Sequence, residues 1–264
     1  MTDPVLQQER IGHVAVLRLN RPQQRNALNV ELVTALRTAL AELAVDDDVR
    51  AVVLTGNGKA FCAGLDLVEL ETTGANLELG GSHDDGSPNQ PWDPFPKPLV
   101  GAVNGPAVTG GLEVALACDV LVGSEAACFA DTHARVGVMP GWGLSVLLPQ
   151  VVGRGVARRM SLTGDYLFAD EALARGLLTE VVPADELVDA AVRVATTIAA
   201  NDPAMVQAYL ASHRRTELAA VGEGYAAESA ASAAWMASGF DRDGSRRGDV
   251  MARGRAQTSV TERN

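Results

Sequence analysis

The sequence predicts an α/β fold, and three observations carry that expectation. Short apolar stretches of strand character recur in the first half of the chain, helical periodicities stand between and after them, and short turns rich in Gly, Asn, Asp and Pro separate them. Residues 51–54 form an unbroken apolar run, ended by Thr55-Gly56-Asn57-Gly58, as in a strand buried on both faces. Asn29 can cap a helix whose Leu32, Leu36, Leu40 and Leu43 repeat on one face.

The remaining elements follow in order. Residues 13–20 alternate as a half-buried strand does and close at the Arg21-Pro22 turn. The helix after Asn29 ends in an exposed turn at Asp46-Asp47-Asp48, before the strand at 51–54. A further strand is expected at 99–103, then Asn104-Gly105, a helix over 110–117, and short strands at 118–123 and 128–130. From Val151 onward the pattern turns helical, near 155–162, 170–175, 185–200, 203–213 and 218–235. The tail after Phe240 is rich in Arg, Gly and Asp, and is expected to be loosely held or docked on a neighbouring subunit. Residues 72–98 form a long Gly/Ser/Asp/Pro stretch containing Trp92 and Phe95. It reads as too polar for the core, and as either a mobile loop over a binding site or an insertion without a role.

A chain of 264 residues, 47% hydrophobic, can bury one large core with at most a smaller appendage. A net charge of −11 argues against nucleic acid and anionic membrane as partners, since the electrostatic contribution would be repulsive over most of the surface. The polar start and the lack of a long charge-free apolar run lead to the expectation of a cytoplasmic protein. Cys62, Cys118 and Cys128 are odd in number, lie in apolar settings and show no metal-ligand spacing, so reduced, buried thiols are expected. Lysine occurs only at Lys59 and Lys97, which makes these two and a few arginines the candidate cations for a small anionic ligand.

Two glycine-containing loops, residues 59–66 and 104–113, follow predicted strands and lead into helices, where free backbone N–H groups favour anions. Either loop alone is ordinary turn chemistry. Together they suggest paired donors for one developing oxyanion, as the enolate chemistry of a thioester requires. Glu113 stands in a first helical turn that is otherwise apolar, with Leu112, Val114, Ala115 and Leu116 around it. A carboxylate there is costly unless it is used or paired; a capping or helix-dipole role is the alternative.

These segments resemble, in their order, the signatures of the crotonase (enoyl-CoA hydratase/isomerase) family. The resemblance rests on residues 21–29, 58–67, 102–119 and 137–141, and on Leu162-Thr163-Gly164-Asp165 followed by Glu171-Ala172 and Gly176-Leu177. It implies a spiral of repeated ββα units with a helical C-terminal region. Residues 1–200 would be the acyl-CoA-binding core and 201–264 a helical oligomerisation segment. The implied assembly is a homotrimer or a dimer of trimers. The backbone amides of Leu65 and Gly110 would form the oxyanion hole, with Glu113 as a catalytic group. Arg25, Ala27, Lys59, Ala63, Asp66 and Leu67 would meet CoA, with Arg25 and Lys59 supplying charge for its phosphates, and Met139 and Trp142 would line the acyl pocket. Asp66, like Asp119, also reads as a cap or buried acceptor.

The chain departs from that pattern at one place. Where hydratases of the family carry a second glutamate, this sequence has His133, within Ala130-Asp131-Thr132-His133. Histidine transfers protons near neutral pH, so it can replace that glutamate, or it can be a satisfied polar side chain. The implied activity is hydration of a trans-2-enoyl-CoA to a 3-hydroxyacyl-CoA, as in fatty acid β-oxidation, with no cofactor or metal beyond the coenzyme A of the substrate. Double-bond isomerisation by a single acid/base, decarboxylation or thioester hydrolysis on the same scaffold, and a non-catalytic acyl-CoA-binding protein are the alternatives.

Overall fold

The computed structural model describes residues 3–80, 89–238 and 247–258. Its strands are β1 (Leu6–Ile11), β2 (Val14–Leu19), β3 (Ala51–Gly56), β4 (Leu99–Val103), β5 (Pro106–Val108), β6 (Val120–Ser124), β7 (Cys128–Ala130), β8 (Tyr166–Phe168) and β9 (Glu180–Val182). The helices are α1 (Val30–Val45), α2 (Leu67–Thr72), α3 (Gly110–Leu116), α4 (His133–Val136), α5 (Leu144–Val152), α6 (Arg154–Thr163), α7 (Ala169–Ala174), α8 (Leu187–Ala199), α9 (Pro203–Ala237) and α10 (Arg247–Thr258). The class is the α/β one that the sequence predicts.

The larger sheet runs β1-β2-β3-β4-β6-β9 and the smaller one β5-β7-β8. Only β1 is antiparallel within the larger sheet, and β8 within the smaller. Consecutive strands β4 and β5, then β6 and β7, fall in different sheets, and each pair is followed by a helix. The chain therefore winds between two sheets in strand-strand-helix steps.

Period-two alternation explains why the strands are apolar on both sides. Leu17, Leu19, Val52 and Leu54 face the main core with Leu32, Leu36, Phe61, Leu112 and Phe129. Their neighbours Val14, Val16, Ala51 and Val53 face a second cluster, covered by Leu187, Ala190, Ala191 and Ala195 of α8. Slipping the β2–β3 register, in which Val16 pairs with Val53, by one residue would exchange the two sets. Asn29 caps α1 as expected, its Oδ1 accepting from Leu32 N–H at 3.0 Å.

Several expectations need correction. β1 was hidden by its polar, exposed sequence, because it is an edge strand that pairs with β2 alone. The strand expected from residue 118 starts at Val120, since Asp119 turns back to accept from Leu99 N–H. Helical structure begins at Leu144, before Val151, and α9 runs unbroken where two helices were expected. Trp92 and Phe95 belong to the core, each about 5% exposed or less. Arg37 donates to the Pro91 carbonyl and Arg214 to the Phe95 carbonyl, which seats that part of the 72–98 stretch; residues 81–88 lie outside the described residues. Lys97 is a cap: its Nζ donates to the Leu43 and Asp46 carbonyls at 2.7 and 2.6 Å, at the end of α1. The described part of the tail, α10, packs on its own chain, through Arg135 to Gln257 and Gln257 to Asp165. No helix among the described residues is long and apolar enough to cross a membrane.

Candidate active site

The two glycine-containing loops are laced to each other by backbone pairing. Cys62 N–H donates to the Pro106 carbonyl and Val108 N–H to the Cys62 carbonyl. Gly111 permits this approach, because a Cβ there would stand 2.1 Å from the Cys62 carbonyl oxygen. On either side of Leu65, Leu28 N–H donates to Gly64 and Asp66 N–H to Leu28, which leaves the Leu65 N–H with no acceptor among the described residues. Gly110 N–H, the first of α3, is likewise unused among them. A Cβ on Gly110 would lie 3.7 Å from the Leu65 nitrogen, so the two free donors are neighbours, and both residues line the same cavity. Thr109, just before, has φ +56° and ψ −114°, a region foreign to a β-branched residue. Its N–H donates to the Ala130 carbonyl and its Oγ1 meets Thr132 Oγ1 at 2.5 Å, so the end of β7 holds it there.

Glu113 follows one helical turn later and is 4% exposed. Its Oε1 accepts from the N–H groups of Trp142 at 2.8 Å and Gly141 at 3.2 Å, which fixes the carboxylate plane and leaves Oε2 toward His133. His133 Nε2 stands 3.8 Å from that oxygen, and its Nδ1 lies 2.8 Å from Asp131 Oδ1. Burial pushes the Glu113 carboxyl up to about 7, against the opposing pull of His133 and the two backbone donors, with Glu228 adding to the rise. Burial opposes a charged imidazole at His133, but the Asp131 hydrogen bond and the nearby carboxylates outweigh it and hold the ring above its ordinary value. Asp131 also resists burial and ends below the usual carboxylate range, because of its contacts with His133. The result is a buried carboxyl and a buried imidazole, both raised above their ordinary values and facing each other across 3.8 Å.

Two cavities meet at Leu65, His133 and Val138. The larger, about 320 Å³, is lined by Arg25, Ala27, Ala63, Leu65, Asp66 and Leu67. Thr132, Tyr166 and, from α10, Met251 and Arg255 also line it. Lys59 is exposed and is not among the lining residues. Asp66 has a structural share as well: it caps α2 and pairs with Arg21 at 2.8 Å. Asp119 is an acceptor for Leu99 N–H and a partner of Arg214, outside both cavities. The smaller cavity, about 100 Å³, holds Glu113, His133, Met139 and Trp142, and Ser232 and Met236 of α9 close it. Asn76 Oδ1 and Trp142 Nε1, both buried in its wall, have no partner among the described residues. Cys62 and Cys128 are buried, and desolvation pushes their thiols up to about 12, while that of half-buried Cys118 is raised too.

Asp131, Asn76, Glu228 and Arg255 are among the contributors that escaped sequence reasoning. Asp131 carried a local signal, a carboxylate two residues from a candidate histidine. Glu228 did not, because it reaches the site only by folding α9 back over α5.

The chain matches the family model for enoyl-CoA hydratase/isomerase over residues 9–244. It is 51% identical to an enoyl-CoA hydratase of Mycobacterium smegmatis of known crystal structure, with a TM-score of 0.81 over 89% of this chain and 100% of that one. The 2,3-dehydroadipyl-CoA hydratase of Escherichia coli (strain K12) is 38% identical over 218 residues, 81% of this chain and 84% of the relative. A monofunctional enoyl-CoA isomerase from M. smegmatis is 30% identical, with a TM-score of 0.68 over 84% of this chain and 98% of its own.

Proposed function

Because this chain belongs to the enoyl-CoA hydratase/isomerase family, we propose that it hydrates a trans-2-enoyl-CoA, with Glu113 as base and His133 as acid. The observation that carries this reading is the 3.8 Å gap between Glu113 Oε2 and His133 Nε2. It is too long for a direct hydrogen bond, yet one water about 2.8 Å from each group can bridge the two from beside the line that joins them.

In this mechanism the Leu65 and Gly110 N–H groups donate to the thioester oxygen as it gains enolate charge. Glu113 takes a proton from the water, whose hydroxyl bonds to C3 while the C2–C3 double bond shifts toward the thioester. His133 Nε2–H then gives its proton to C2, leaving a protonated Glu113 and a neutral imidazole. Proton return from Glu113 to His133, through the next water, restores the pair. The reaction is an addition, with no net redox change, and the chemistry asks for no group beyond these. A second titratable partner opposite the glutamate favours hydration over the one-base isomerase reading.

The larger cavity, with Arg25 and Arg255 in its wall, takes the CoA portion. The smaller one takes the acyl chain, and its 100 Å³ suits a short one. Exposed Met205, Tyr209, Leu218 and Trp235 on α9 support a trimer or a dimer of trimers in which α9 packs between subunits. The test is turnover of enoyl-CoAs of increasing chain length beside a 3-enoyl-CoA. Hydration of crotonyl-CoA is the expected result, falling as the chain lengthens. Double-bond migration without 3-hydroxyacyl-CoA would overturn the assignment in favour of the isomerase, and tight acyl-CoA binding without turnover in favour of a binding protein.

A further inference from the structure

We infer that Asp131 is a positioning residue that fixes which nitrogen of His133 exchanges its proton with the substrate, an inference that rests on the hydration reading above. Asp131 directly follows β7, the central strand of the smaller sheet, and is 2% exposed. Its Oδ1 accepts from His133 twice, from the backbone N–H at 3.1 Å and from Nδ1 at 2.8 Å. Ser161 on α6 makes a further hydrogen bond to its side chain.

The geometry decides the tautomer. A carboxylate cannot donate, so the Nδ1 that meets it must carry a hydrogen in both protonation states. The exchangeable proton is therefore confined to Nε2, the nitrogen that faces Glu113 Oε2. Without Asp131, a neutral ring is free to carry its hydrogen on Nε2 and leave Nδ1 bare. Such a ring has a donor toward Glu113 but no lone pair there to take the proton back.

The charges around the ring point the same way. His133 faces Glu113 from α3, Asp131 at the end of β7 and Glu228 from α9, and all three are carboxylates. Asp131 is the one in direct hydrogen-bond contact. Its charge holds the imidazolium at the pH where Glu113 is ionised, so both groups are in their working states together.

The experiment compares the parent with Asp131→Asn, whose carboxamide oxygen still accepts from both N–H groups but carries no charge. Nitrogen NMR of the His133 ring in the full-length, substrate-free protein reads tautomer and titration without reference to activity. In the parent, Nδ1 is expected to hold its hydrogen throughout while Nε2 titrates. In Asp131→Asn the midpoint is expected to fall by about one pH unit or more, from the loss of an adjacent negative charge. With crotonyl-CoA, kcat should fall about tenfold or more, KM should stay within about twofold, and the alkaline limb of the rate should move down with the midpoint. An Asp131 that is merely structural would leave the midpoint and that limb in place while lowering stability, and that result overturns the inference. So does a parent ring whose neutral form carries hydrogen on Nε2, an observation that needs no variant to fold. If the parent hydrates nothing, the hydration reading fails, but the NMR comparison still decides the role of Asp131.

Discussion

The backbone N–H of Gly143 donates to Glu228 Oε1 at 2.6 Å, which ties the long helix α9 to the turn that carries Trp142. Ser145 N–H adds a second bond to the other oxygen at 2.7 Å. Glu228 thus caps α5 from across the molecule, where the turn has no side chain of its own to do so. Truncation to Glu228→Ala leaves both donors without their partner, and a loss of about 1–3 kcal/mol is expected from such a change. Urea unfolding of the variant measures it. An unchanged midpoint would show that the cap contributes nothing.

Glu113→Gln keeps the shape of the side chain and can still accept from Trp142 and Gly141, but it cannot take a proton from water. Its turnover should fall roughly a hundredfold or more, with acyl-CoA affinity nearly unchanged. Stopped assays of hydration set beside a binding titration separate the two quantities. Full turnover in this variant would remove Glu113 from the mechanism.

The hydration rate should be bell-shaped in pH, because it needs Glu113 ionised and His133 protonated. Desolvation raises the Glu113 carboxyl to about 7, so the rate rises with pH through that region. His133 is held above its ordinary value despite burial, so the rate falls again as the pH climbs past its midpoint. Replacing Glu228 by Gln removes a negative neighbour of Glu113 and should move the acid limb to lower pH. A pH–rate profile of the two proteins tests this, and a flat profile would count against both assignments. His133→Ala should lower the rate strongly and erase the alkaline limb.

Gly111→Ala is a test of the scaffold rather than of the chemistry. The added methyl would meet the Cys62 carbonyl oxygen at 2.1 Å, a backbone atom that pairing with Val108 holds in place. The variant is expected to be insoluble or destabilised by about 1–3 kcal/mol or more, the cost typical of overpacking. Gly155→Ala, at a glycine with open space around it, is the control and should behave as the parent does. Equal thermal stability of the two would dismiss the close approach.

Much of this arrangement was legible because it is local. Leu32, Leu36, Leu40 and Leu43 announce α1 by spacing alone, and Glu113 stands out as a carboxylate in an apolar turn. The pairing of Leu65 with Gly110 was suggested by two similar loops and sharpened by resemblance, since nothing local brings those residues together. What stayed hidden depends on contacts distant in sequence. Trp92 and Phe95 sit in a polar stretch, yet Arg37 and Arg214 hold the neighbouring carbonyls so that the rings reach the core. Lys97 looks like a free cation until the end of α1 arrives beside it. Arg255 belongs to a tail whose composition gives no reason to expect a helix over the larger cavity.

Thr109 carries a cost of about 1–3 kcal/mol for its positive φ, by the usual scale for such backbone outliers. That cost is met once, when β7 closes on it through Thr132 and the Ala130 carbonyl. Afterwards the next amide in the chain, that of Gly110, has little freedom left to lose. In the proposed mechanism this means that the rigidity of an oxyanion donor would be installed during folding, so that a catalytic cycle would not need to reorganise it each time.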